Sequence, residues 1–244
     1  MWVIYKKELT TFFNHLTGYL VLGVFLTLMG LFLFVFPETS LLESNFASME
    51  PFFEMAPSLF LFLIPAITMR LLAEERQMGT LALLLTKPID ELDLIMGKFL
   101  AAVTLLILSL IPTLFYYLTL YILGSPEGNL DSGAITGSYV GLILLGGAFS
   151  SIGMLASSLT ENQIVAFVLA VTGCFLFFYG FYFLSGLPIF FGKWDALVQQ
   201  LGMDYHYHAL SKGAPDTRDL IYFLSVITTF LLITRFVLQY RIRS

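Results

Sequence analysis

Charge is what this sequence has least of. Of 244 residues, only 12% are Asp, Glu, Lys or Arg. A soluble domain keeps about a quarter of its residues charged to hold its surface in water, so most of this surface faces something else. Cysteine is nearly absent too: Cys174 stands alone inside an apolar run, which excludes an intrachain disulfide and leaves it as a small packing residue. No G-x-x-x-x-G-K-[ST] phosphate loop occurs; Gly97-Lys98 is the nearest fragment, and it lacks the first glycine and the hydroxyl. No small-x-small cleavage site follows the first apolar run, so no cleavable signal is expected. No nucleic-acid partner, cofactor, metal or catalytic residue is expected.

What the chain has is hydrophobic length. Residues of the apolar classes make up 58% of it, and a helix crosses a bilayer with roughly 20 of them in a row. An all-α integral membrane protein follows. The expected spans are 17–36, 57–72, 99–123, 134–157, 164–184 and 220–237. Pro57 is placed in a first turn, where proline is tolerated, and Pro65 and Pro112 predict kinks. Asp90 reads as an N-cap, with Glu91 and Asp93 suiting the helix dipole. Gly124 to Asn129 is a turn by composition.

Lysine and arginine set the orientation. With the N-terminus inside, Lys6, Lys7, Arg70, Arg76, Lys87, Lys98, Arg235, Arg241 and Arg243 are cytoplasmic, and only Lys193, Lys212 and Arg218 lie outside. Both termini are therefore expected in the cytoplasm. Ahead of the first span, Trp2, Tyr5, Leu9, Phe12, Phe13 and Leu16 recur at helical spacing opposite Lys6, Lys7, Thr10, Thr11 and Asn14. Residues 1–16 therefore read as a helix lying in the interface, aromatic face in lipid; it either anchors the chain or clamps a partner.

Two further sets of residues carry chemistry in principle. His206 and His208, near Asp204, are spaced for a strand or loop and fall outside, across the bilayer from Glu74 and Glu75, so the two sets cannot form one hydrolase site. Within the spans Arg235 is the one ionisable candidate, near enough to the cytoplasmic edge to snorkel. Proton- and ion-coupled carriers bury such groups at mid-membrane, so a carrier is disfavoured. Gly133, Gly137 and Gly141 give a flat face for close helix packing, within the chain or between subunits. The aromatic run from Phe175 to Phe183 reads as a lipid-facing belt rather than a substrate lining.

The segment from Arg70 to Pro88 is the exception to all this apolar uniformity. Thr80 is placed to cap a short helix in which Leu81, Leu84 and Leu85 share a face. Leaving that face wet costs about 25 cal/mol per Å² of apolar area, so lipid or a partner's groove covers it. The preceding Glu74, Glu75 and Arg76 favour a polar-rimmed protein groove.

These residues also carry a resemblance. Arg70, Ala73, Glu74, Glu75, Arg76, Gly79, Thr80, Leu81, Leu84, Leu85 and Pro88 match, in order, the stretch that marks permeases of the ABC-2 type. The turn from Ser158 to Gln163 resembles that family's link between spans four and five. The opening Trp2 to Leu9 and Phe36-Pro37-Glu38-Thr39 are similar to the gliding-motility-associated permeases of Bacteroidota. The resemblance implies one permease domain over 1–244, with an interfacial helix at 1–16, an ATPase-coupling segment at 73–88 and an extracytoplasmic, re-entrant segment at 185–219. It implies a half-transporter that pairs with a second permease subunit, the same or different. It also implies docking of a separate ATPase, with Arg70, Glu74, Glu75, Arg76, Gly79, Thr80, Leu81, Leu84 and Leu85 at the contact. A membrane scaffold that anchors an ATPase without transporting anything is the alternative. The substrate is not readable.

Overall fold

The computed structural model describes residues 1–14, 16–41, 48–80, 90–124, 128, 130–190, 192, 194–212 and 216–243, and they form helices with no strand among them. The helices are α1 (Trp2–Asn14), α2 (Leu16–Phe34), α3 (Glu50–Thr68), α4 (Arg70–Gln77), α5 (Glu91–Leu110), α6 (Leu114–Leu123), α7 (Ser132–Leu159), α8 (Gln163–Phe175), α9 (Phe181–Ser185), α10 (Asp195–Gln199), α11 (Met203–Leu210) and α12 (Thr217–Arg243). Five runs are long and apolar enough to cross a membrane: Glu50–Gln77, Glu91–Leu123, Ser132–Leu159, Gln163–Ser185 and Thr217–Tyr240. A sixth is made by α1 and α2 if that pair, bent by 66°, is one span.

Position in the bundle follows side-chain size. Helix α7 is rich in Gly, Ala and Ser, which let neighbouring backbones approach closely, and it packs against α3, α5, α8, α11 and α12. Of its apolar window 78% is buried, against 22% for Gln163–Ser185 and 17% for Thr217–Tyr240. The small-residue helix is thus the axle, and the Leu- and Phe-rich helices turn their long side chains to lipid. Phe25, Phe60, Phe149, Tyr207 and Phe223 fill the central core.

Several boundaries differ from the sequence reading. The second span starts at Glu50, not at Pro57: Pro51 takes the first turn, and Pro57 and Pro65 are both internal. Helix α3 stops three residues after Pro65, at Thr68, and α4 restarts at Arg70. At Pro112 the chain tightens into a 3-10 turn, Ile111–Thr113, as a proline without an N–H demands. Asp90 occupies the N-cap position of α5 but its side chain makes no cap bond; Asp131 and Asn162 do make them, for α7 and α8. The glycine stripe serves packing within the chain. Gly141 faces Tyr207 of α11, where an added Cβ would lie only 3.3 Å from the ring, while Gly133 is exposed. In the aromatic run only Phe178 is buried in the core, and the turn Leu176–Gly180 is π-helical.

Two ends of the bundle result. One carries α1, α4, the start of α5 and the α7–α8 turn; the other carries α10, α11 and the starts of α3 and α7.

Candidate functional site

Helix α4 is eight residues long, too short to persist alone. It is held because Arg70, Glu75 and Arg76 each have a partner on a different element. Its stop is local: Gly79 sits at φ 68°, the left-handed conformation that ends helices, and its N–H bonds the Arg76 carbonyl at 3.0 Å. Thr80 donates its hydroxyl to the Glu75 carbonyl at 3.2 Å. Leu81, Leu84 and Leu85 lie outside the described residues, as do Lys87 and Pro88.

Glu75 faces inward, which corrects the expectation of a surface contact. Only 6% of it is exposed, and its Oε1 lies 2.9 Å from both Lys7 Nζ and Lys98 Nζ. Lys98 Nζ also meets Glu8 Oε1 at 2.8 Å, and Lys7 approaches that same oxygen at 3.6 Å. Two ammonium groups and two carboxylates from α1, α4 and α5 therefore neutralise one another. Taking such charges out of water costs several kcal/mol per ion, and only this mutual pairing offsets it. Glu75 Oε2 is buried without a hydrogen-bond partner among the described residues.

The cluster also corrects the reading of α1. Its buried face is Ile4, Glu8 and Phe12, one residue per turn, so Phe12 enters the core while Trp2 stays exposed. The Arg70 guanidinium lies 4.6 Å from the Phe12 ring centre, a cation–π contact between α4 and α1. Gly97 makes the docking of α1 on α5 possible, since a Cβ there would come within 3.0 Å of Ile4 Cβ. The Gly97-Lys98 pair has nothing to do with phosphate; the glycine seats α1 and the lysine binds it.

On its other side α4 holds the α7–α8 turn. Arg76 donates to the Ser158 carbonyl at 2.8 Å and pairs with Glu161 at 3.2 Å. The start of α4 is held by Ser157 of α7, whose Oγ accepts from the N–H groups of Leu72 and Ala73, each at 3.0 Å. Glu74 is half-buried at the rim. Beside it a shallow groove is lined by Gln77, Glu161, Asn162, Gln163 and Ile164. Of the expected residues, Arg70, Glu75 and Arg76 thus converge on one short helix, Gly79 and Thr80 close it, and the leucines follow beyond it.

The opposite end is built differently. His206 and His208 lie on helix α11, not on a strand or loop, because Met203, Tyr207 and Leu210 give that segment an apolar helical face. His206 Nδ1 is 2.6 Å from Asp219, its Nε2 is 2.8 Å from the Gln200 carbonyl, and its ring stacks on Tyr222 at 3.8 Å. Hydrogen bonding to Asp204 holds His208 above the ordinary imidazole value, against the opposing effect of burial. No group of three metal-ligating side chains occurs among the described residues. A cavity of about 340 Å³ opens here, walled by Phe53, Glu54, Leu130, Asp131, Tyr207 and His208.

Sequence reasoning missed Glu8 and Lys98, and a signal for both was present. Each interrupts an apolar stripe: Glu8 between Ile4 and Phe12, Lys98 between Leu94 and Ala101. Arg235 was instead singled out, and it pairs at 3.5 Å with Glu91 at the start of α5.

No curated protein matches this chain. The model of the ABC-2 family transporter proteins matches residues 2–239, nearly the whole of the helical architecture described above. The chain belongs to the ABC-2 transporter family, as a multi-pass membrane subunit and not as the ATPase.

Proposed function

We propose that this permease converts ATP hydrolysis by a separate, cytoplasmic ATPase into movement of its spans, with the 73–88 segment as the point of attachment. The observation that carries the reading is the convergence on α4. Glu75 ties it to α1 and α5, Arg76 to the α7–α8 turn, and Ser157 to α7. A pull applied just beyond Gly79 reaches three other helices and the α7–α8 turn through short polar contacts. ATP closes two ATPases, their grooves draw the leucine faces of two permease subunits together, and spans two and five tilt to open the path outward. Pro65, three residues before the end of α3, is the pivot within span two.

In this reading the N- and C-termini and α4 are on the cytoplasmic side of a bacterial inner membrane, and α11 with the rest of 185–219 is on the outside. The clustering of lysine and arginine at the α4 end supports that orientation. The second membrane subunit is a different permease, and the system serves gliding motility by export or transmitted force; the similarity of Trp2 to Leu9 and of Phe36 to Thr39 supports this finer assignment.

The test is mild purification of the tagged chain from its native membrane, with and without Leu84→Asp. A nucleotide-binding ATPase is expected with the unaltered chain and should be lost with the variant. An ATPase that stays bound despite the new charge would refute the attachment site as proposed. No co-purifying ATPase with the unaltered chain would count against the coupling reading and the ATPase-anchoring scaffold alike.

A further inference from the structure

Between α3 and α4 one residue, Met69, interrupts the helix. The first N–H groups of a new helix have no partner within it, and a side chain from just ahead of the helix usually caps them. Met69 has no such side chain to offer. The cap comes instead from α7, more than eighty residues away in sequence. Ser157 Oγ accepts from Leu72 N–H and Ala73 N–H, and it donates to the Met69 carbonyl at 2.8 Å. A hydroxyl has one proton to give and two lone pairs; all three are used across this one junction.

The surroundings make the contact a seat rather than a chance meeting. Ser157 is fully buried. One turn earlier on α7, Gly153 leaves no room for a Cβ beside Thr68, so α7 lies flush against the last residue of α3. Thr68 turns its own hydroxyl back to the Ile64 carbonyl at 2.9 Å, which closes the end of α3 after Pro65. The α3 side of the break is thus finished locally, and among the described residues Ser157 is the side chain that hydrogen-bonds across it from outside.

We infer that Ser157 is the positioning residue that makes α4 and α7 move as one body, so that force applied to the segment after α4 passes into the fourth span at the Met69 junction. The inference rests on the ATPase-coupling reading and deepens it by naming the span that receives the force. Without the hydroxyl, the junction is a loose joint next to a proline. Helix α4 then keeps only the Arg76 bond to the last turn of α7, and it swings with the ATPase further than α7 follows. Ser157 is fully buried within the permease, so its loss should leave attachment and hydrolysis in place.

The experiment uses the permease purified with its ATPase, and distances between spin labels before and after trapping with ATP and orthovanadate. Cys174 is buried and stays unlabelled. One pair, Gln77→Cys with Thr136→Cys, spans α4 and α7; a second, Thr119→Cys with Thr136→Cys, reports movement of α7 against α6. In the otherwise unaltered protein the first distance should hold constant and the second should shift. With Ser157→Ala the ATPase should remain bound and active, while the first distance changes and the second shift disappears. Ser157→Thr, which keeps the hydroxyl, should restore both. Ser157→Cys, similar in size but a weak acceptor, replaces the alanine variant if that one does not accumulate, with the same expected result. Unaltered movement in both the alanine and cysteine variants overturns the inference, and so does equal loss in the threonine and alanine variants. A missing ATPase, or no shift in the otherwise unaltered protein, overturns the coupling reading itself and the inference with it.

Discussion

Lys98 is 1% exposed and carries its charge between Glu8 and Glu75. Removing it leaves two carboxylates facing each other with Lys7 alone to neutralise them. Breaking a buried ion pair from one side costs about 3–5 kcal/mol, so Lys98→Met should lower the unfolding midpoint in detergent by on the order of 10 °C. Adding Glu8→Leu restores neutrality with the Lys7–Glu75 pair intact and should recover most of that loss. A double variant as unstable as the single one would show that packing, not charge, governs the site. At this scale the sequence was legible where a residue acts alone on the backbone. Pro112 was expected to kink its span, and the chain does tighten into a 3-10 turn there. It was opaque where two residues act together, because Glu8 and Lys98 stand 90 positions apart and nothing in either neighbourhood names the other. Ser157 belongs to the same class, a small polar residue among many in α7 whose role exists only once α4 lies against it.

Among the elements, the helices that periodicity defines were found, and errors fell where tertiary contact sets the limit. The second span begins earlier than expected because Pro51 and Pro57 are both compatible with a helix, one in its first turn and one inside it, and local rules cannot rank them. The N-terminal helix was found, but its buried face was misassigned. Aromatic residues were placed together in lipid, whereas Ile4, Glu8 and Phe12 dock on α5 and the end of span two. That docking depends on Gly97. A side chain there presses on Ile4 Cβ at 3.0 Å and on the Met1 carbonyl at 3.1 Å, and overpacking of this kind costs about 1–3 kcal/mol. Gly97→Val should therefore lift α1, separate Glu8 from Lys98 and make residues 2–14 readily cut by added protease, with Gly97→Ala intermediate. An α1 as resistant as before would mean that Phe12 and Arg70 hold it without the close approach. The leucine face after Thr80 is the element about which the described structure is silent.

For the molecule as a whole, composition alone was sufficient for the class. A chain with 12% charged residues has no other way to solvate itself than in lipid. The arrangement around α7 was legible only in hindsight, since its glycines mark close packing without saying against which partner. Orientation is a property of the whole and is tested as one. Gln77→Cys and Ser132→Cys lie at opposite ends of the bundle, and an impermeant maleimide added to intact cells should reach Ser132→Cys only. Gln77→Cys should react after permeabilisation. The reverse pattern would turn the permease over and move the ATPase contact away from α4.

The four-charge cluster also bears on how the chain is made. Translation delivers the N-terminal parts first. Glu8 and Glu75 therefore reach the membrane before Lys98, whose helix cannot bury a lone ammonium without cost. The third span arrives to find its counter-charges waiting, and it settles only if both earlier segments are in place. A chain shortened by its first fourteen residues should keep the five helices long and apolar enough to span, yet present an incompletely matched lysine to the membrane.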